Sequence, residues 1–145
     1  GGTSEGFKLA IQRHVHEETF LAMNGDELVD VDLADLAAHH DANGGVATIV
    51  AAWMRSPYGI VDVQGSYSVG FREKPILPHL VSVGVYVFNK KILEYLPDTG
   101  NIEEKVFPVL AKRRELKAYI HNGFWATVNT AKDLADMETH LRNRI

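Results

Sequence analysis

The stretch FLAMNGDE, Phe20 to Glu27, runs apolar for four residues, turns at Asn24-Gly25 and then offers the carboxylate of Asp26. In open α/β sheets ligands gather beyond the carboxyl ends of the strands. An acid placed there suits a hard cation such as Mg²⁺, which takes one or two carboxylates and fills its shell with phosphate oxygens. The same three residues also suit a plain turn, where Asn, Gly and Asp are the usual occupants. FREKP, Phe71 to Pro75, follows another strand-like run. Its Lys74 is a compact charge fitted to a sugar phosphate and its Glu73 an acceptor for sugar hydroxyls, unless both are simply solvated loop charges. In SPYGIV, Ser56 to Val61, Gly59 either lets a ligand approach the backbone or marks where a strand begins.

Other constellations weigh less. Asp30-Val31-Asp32 has the Asp-x-Asp form of a metal-bound nucleotide-sugar site, but Asp32 is better explained as the cap of a following helix. Of the seven histidines, His14 and His16 are two apart and His39 and His40 adjacent, so neither pair shares a helical face and no metal site is expected from them. Trp53, Tyr86, Phe124 and Trp125 are expected in the core ahead of any pocket lining.

These residues need elements to hold them. Phe7, Ala10, Ile11 and His14 recur at helical spacing behind a Thr3 or Ser4 cap, and a strand follows at Phe20 to Met23. Asp32, with Asp35 three residues on, opens a second helix that carries Leu33, Leu36 and Ala37 on one face and closes at Gly44-Gly45. Val46 to Trp53 and Leu80 to Phe88 are continuously apolar, which requires cover on both faces, as helices give a parallel sheet. Gly59 to Val63 and Tyr67 to Arg72 form a hairpin around Gly65-Ser66. A short helix over Lys90 to Tyr95 stops at Pro97. A longer one runs from Asn101 or Ile102 to Ala111 with Ile102, Val106, Val109 and Leu110 inward. Lys117 to Ile120 reads as an edge strand, and Thr130 with Asp133 opens a last helix bearing Leu134, Met137 and Leu141.

With 145 residues, 46% of them hydrophobic, and no linker or repeat, residues 1–145 read as one domain. A net charge of -4 argues against nucleic acid, and the absence of cysteine excludes disulfides, thiolate metal sites and thiol nucleophiles. The longest apolar runs, such as VATIVAAWM, fall far short of a bilayer, and GGTSEGFK carries no signal-peptide apolar region, so the expectation is no membrane and a cytoplasmic protein.

Taken in order and spacing, LAMNGDELVDVDLADL, YGIV, FREKP, VGVYVF, IEEKVFP and GFWATVNTAKDL resemble the sugar-phosphate nucleotidylyltransferase family, in particular its mannose-1-phosphate guanylyltransferase and glucose-1-phosphate thymidylyltransferase branches. The opening GGTSEGFKLA is similar to that family's Gly-Thr segment leading into a helix, so the resemblance covers essentially the whole chain. It implies a three-layer α/β, Rossmann-like nucleotide-diphospho-sugar transferase fold and the coupling of a sugar 1-phosphate to a nucleoside triphosphate with release of pyrophosphate. It further implies that Asp26 is the first of two Mg²⁺ aspartates, that Gly59 and Glu73 face the sugar and Lys74 its phosphate. Ser82 stands at the place of a frequent sugar-contacting Asn, and Glu103 at that of a frequent acid near the sugar.

Two departures shape the expectation. The family's Gly-Tyr-Trp-x-Asp-Ile-Gly-Thr pattern reads here GFWATVNT, so the second metal aspartate is Thr127 and the following glycine Asn129. The chain also opens on a helix, without the strand and Gly-rich turn that cradle phosphates, as if the first βα unit were missing. The sequence therefore predicts a chain inactive in isolation, with Mg²⁺ weak or absent. The alternative is a non-catalytic module that binds a sugar phosphate or nucleotide sugar, or serves assembly. A sheet edge bared by a lost strand favours a homo-oligomer.

Overall fold

The computed structural model describes residues 18–25, 27–127 and 138. Asp26 and the helices expected from Thr3 and from Thr130 lie outside the described residues. The framework is a four-stranded mixed sheet. Its strands are β1 (Thr19–Met23), β3 (Ala47–Arg55), β6 (Ile76–Asn89) and β7 (Leu116–Ile120), in the order β1-β6-β3-β7. Two small ribbons stand beside it. One pairs β2 (Glu27–Val29) with β8 (Trp125–Thr127), and the other is the hairpin β4 (Ile60–Gln64) and β5 (Tyr67–Arg72).

The continuously apolar strands do not make a parallel sheet. β6 runs antiparallel to both β1 and β3, and only β3 and β7 run parallel. A strand buried on both faces needs cover, not a particular direction, and here the cover comes from two helical layers. The period of two along β6 shows it: Tyr86 and Phe88 join one core cluster, while Val83, Val85 and Val87 join another. The first cluster is closed by Ile92 on a 3₁₀ turn (Lys90–Glu94), Ile102 on α2 (Ile102–Lys105) and Phe107 and Leu110 on α3 (Phe107–Lys112). The second is closed by Leu36 on α1 (Leu33–Asn43). The result is helix, sheet, helix, the three layers expected.

Local chemistry sets the boundaries. Asp32 caps α1 by accepting from the Asp35 N–H at 3.1 Å, and Gly44 ends it at φ 67°, a conformation that favours glycine. The buried face of α1 is Leu36 with His40, not Leu33 with Ala37: Leu33 is half exposed in the first turn, and Thr48 of β3 receives the His40 ring. The single helix expected from Ile102 to Ala111 is broken at Val106 into α2 and α3. Pro108 has no N–H to return to Glu104, and the break rotates Phe107 inward and leaves Val109 exposed. Tyr86 is in the core as expected, whereas Trp53, at the far end of β3 beyond the helical cover, is 45% exposed.

Candidate functional site

The carboxyl ends of β3 and β7 frame an open cleft of about 590 Å³. It is walled by Trp53 and Arg55 from β3, Ile76 at the start of β6, and the loop His121 to Phe124 with Trp125. β7 delivers this loop, and the His121 N–H fastens it by donating to Ala51 O at 2.8 Å.

His121 is the pivot. Its side chain is only 8% exposed, and its Nε2 lies 2.9 Å from Asp30 Oδ1 and 3.0 Å from Phe124 O. Both neighbours accept, so Nε2 carries the hydrogen and donates. The Asp30 N–H donates to the same Phe124 oxygen at 3.2 Å. Gly123 is required here for space, because a Cβ on it would fall 2.6 Å from Asp30 Oδ1 and 2.8 Å from His121 Cε1. Asp30, read as half of an Asp-x-Asp pair, thus serves the loop, while Asp32 caps α1.

The residues singled out from sequence distribute unevenly. Asp26 lies outside the described residues; its neighbour Glu27 is registered opposite Thr127 in the β2-β8 ribbon, with Leu28 opposite Ala126 and Val29 opposite Trp125. Lys74 has φ 44°, an uncommon conformation for a residue with a Cβ, and it is pinned there. Arg55 donates from Nη1 to Lys74 O at 2.9 Å, and the Ser56 N–H donates to Pro75 O at 2.9 Å. The REKP turn is therefore tied to the end of β3, beside the cleft. Glu73 is exposed on the same turn.

Gly59 precedes the hairpin, and the space a Cβ would take there holds the ring of Phe71. Ser82 is exposed on β6 opposite Ala51, with its hydroxyl accepting from the Gly84 N–H at 3.4 Å. Glu103 is exposed on α2, the helix that covers the other face of the sheet. The structure thus groups Lys74 and Glu73 with the cleft and sets Glu103 apart from it. Trp53, Arg55, Ile76 and His121 were not singled out as site residues. The available signal was HNGFW directly after an edge strand, at a carboxyl end.

A mixed sheet between helical layers, with its loops gathered at the carboxyl ends of β3 and β7, defines an α/β class of fold, and such sheets place their ligands at those strand ends. The chain belongs to the nucleotidyl transferase family, whose model matches residues 1–144. This is the sugar-phosphate branch read from the NGDE, REKP and GFWATVNT segments. The chain is similar to a Bacillus subtilis (strain 168) protein named "Probable glucose-1-phosphate cytidylyltransferase", 32% identical over 131 residues, 89% of this chain and 52% of that one. It is also similar to the mannose-1-phosphate guanyltransferase of Yarrowia lipolytica, 34% identical over 140 residues, 91% of this chain and 39% of that one. The chain thus spans about half or less of these relatives' length. In fold it matches the crystal structure of HddC from Yersinia pseudotuberculosis with a TM-score of 0.69 at 18% identity, covering 97% of this chain and 62% of that one. The fold is α/β and Rossmann-like.

Proposed function

We propose that this chain is the sugar-1-phosphate portion of a nucleotidylyltransferase, a catalyst that couples a sugar 1-phosphate to a nucleoside triphosphate and releases pyrophosphate. By itself it holds the sugar phosphate without turning it over. The observation that carries this reading is the β2-β8 register. Glu27 faces Thr127, so the two segments to which the resemblance assigns the metal aspartates run alongside each other, with threonine where the second carboxylate belongs.

In this reading Lys74 neutralises the sugar's phosphate, and the strain held in its backbone by Arg55 and Ser56 is the kind that accumulates where a ligand is gripped. Glu73 accepts from sugar hydroxyls, with Gly59 and Ser82 contributing to the sugar side, while Glu103, exposed on α2, takes no part. Mg²⁺ would supply charge neutralisation between the phosphates. The donor set does not fit it as a two-carboxylate site, because Thr127 is neutral. No step is therefore routed through the ion. The same substitution favours the second reading, a non-catalytic module for a sugar phosphate or nucleotide sugar. Self-association belongs with either reading, supported by the exposed apolar side chains Val61, Val63, Val69 and Phe71 of the hairpin.

The test has two arms. Purified chain with Mg²⁺, nucleoside triphosphates and a panel of hexose 1-phosphates is expected to release no pyrophosphate above background. The same hexose 1-phosphates at millimolar concentration are expected to raise the melting temperature, and Lys74→Ala to abolish that rise. Sustained turnover would refute the inactive reading, and the absence of any shift would refute binding.

A further inference from the structure

We propose that Asn122-Gly123 is a site of spontaneous covalent modification, at which the Asn122 amide is lost and a carboxylate, chiefly that of isoaspartate, enters the wall of the cleft. This goes beyond the proposed function: it is chemistry of the chain itself and needs no ligand.

The step begins with attack of the Gly123 nitrogen on Asn122 Cγ. A C–N bond forms, the side-chain nitrogen leaves as ammonia with the Gly123 proton, and a cyclic imide remains. Water then opens the imide at either carbonyl, giving aspartate or isoaspartate. Glycine makes the attack accessible, because a residue without a Cβ lets its backbone come close to the preceding side chain.

The chain has three Asn-Gly pairs, Asn24-Gly25, Asn43-Gly44 and Asn122-Gly123, and their surroundings set them apart. Asn43 ends α1, where its Nδ2 donates to His39 O at 2.7 Å and the Gly44 N–H donates to His40 O at 2.9 Å. Both the leaving and the attacking nitrogen are thus held. Asn24 is half-buried at the end of β1, and its N–H donates to Gly84 O at 2.8 Å, which fixes its backbone. Asn122 and Gly123 are both exposed, and among the described residues neither backbone N–H enters a hydrogen bond. The anchors of this loop lie on either side of the pair, with the His121 N–H on Ala51 O and the Asp30 N–H on Phe124 O.

Position gives the modification its consequence. Asn122 lines the cleft, so a neutral amide becomes an anion in the space that Arg55 also lines. Isoaspartate further routes the main chain through its own Cβ and lengthens it. Gly123 is seated against Asp30 and His121 with no room even for a Cβ, so the lengthened chain shifts it off that seat.

The test incubates the 145-residue chain at mildly alkaline pH, with peptide mapping by mass spectrometry and enzymatic methylation of isoaspartate as readouts. Conversion is expected at Asn122 first, and at Asn43 roughly tenfold more slowly, because two hydrogen bonds must open before attack there. In urea the ranking is expected to collapse and the three pairs to convert at similar rates, since the protection belongs to the fold. Asn122→Gln, at an exposed position, disfavours ring closure by its longer side chain and is expected to remove the early methylation signal. The proposal is overturned if Asn122 stays an amide, if Asn24 or Asn43 converts as fast in the folded protein, if the ranking survives in urea, or if Asn122→Gln leaves the early signal unchanged. No sugar or phosphate enters this experiment, so its failure leaves the hexose 1-phosphate shift standing, and the converse also holds.

Discussion

His40 Nδ1 lies 2.7 Å from Thr48 Oγ1, and this bond joins α1 to the central strand β3 in a place where both residues are buried. Burial lowers the pKa of His40 below 6.5, with Asp41 pulling weakly the other way and His39 adding to the depression. A base with a depressed folded pKa keeps its full stabilising contribution above its unfolded value. Stability is therefore expected to be level above pH 6.5 and to fall as the pH drops below it, because the unfolded chain takes up the proton that the folded one refuses. Urea midpoints measured across this range should show the decline, and Thr48→Val, which strands the ring, should cost about 1–3 kcal/mol at neutral pH. A midpoint unchanged by Thr48→Val would show that the bond contributes nothing.

On the neighbouring edge, the Tyr119 hydroxyl donates to Asp35 Oδ2 at 2.6 Å, tying β7 to the first turn of α1. This bond to Asp35 is the main cause, ahead of desolvation and the charges of Asp35 and Asp32, that raises the Tyr119 pKa from 10.0 to about 12. The raised value means the stabilisation is complete below pH 10 and is lost as the pH climbs toward 12. Ultraviolet titration of tyrosinate should find a late-titrating tyrosine that Tyr119→Phe removes. Asp35→Asn should bring it back toward the ordinary value.

Two glycines separate backbone need from available space. At Gly123 an added methyl would meet Asp30 Oδ1 and His121 Cε1, two groups that hold each other in place. At Gly59 it would meet the ring of Phe71, which is mostly exposed and free to swing away. Gly123→Ala is accordingly expected to destabilise by about 1–3 kcal/mol, and Gly59→Ala by clearly less. Equal losses in thermal melts would mean that Asp30 and His121 yield as easily as the Phe71 ring.

What the sequence disclosed was local in origin. Asp32 with Asp35, Gly44-Gly45 and Gly65-Ser66 each decide a cap or turn within a few residues, and each appears where the pattern puts it. The Pro108 break was equally local, although the helical spacing of Ile102, Val106 and Val109 outweighed it. The cleft was not legible, because it joins β3 to a loop some seventy residues later. Nothing in VATIVAAWMR says that its last residues outrun their helical cover and pair with the mostly exposed beginning of β6, as Trp53 does with Leu80 and Arg55 with Ile76. Asp30 was visible as an acid, and His121 as a histidine; that they meet is a fact of topology.

The register of Glu27 against Thr127 leads to a test of what the threonine replaced. If the NGDE turn and position 127 once shared a cation, restoring a carboxylate should rebuild its hard-oxygen shell, since affinity for such ions rises with the number of charged ligands. Thr127→Asp is expected to tighten Mn²⁺ binding roughly tenfold by calorimetry, whereas the neutral Thr127→Asn should not. Adding Asp26→Asn to Thr127→Asp should cancel the gain, and the coupling between the two changes measures whether they hold one ion. Independent, additive effects would place Asp26 and position 127 at separate sites and remove the basis for reading Thr127 as a lost metal ligand.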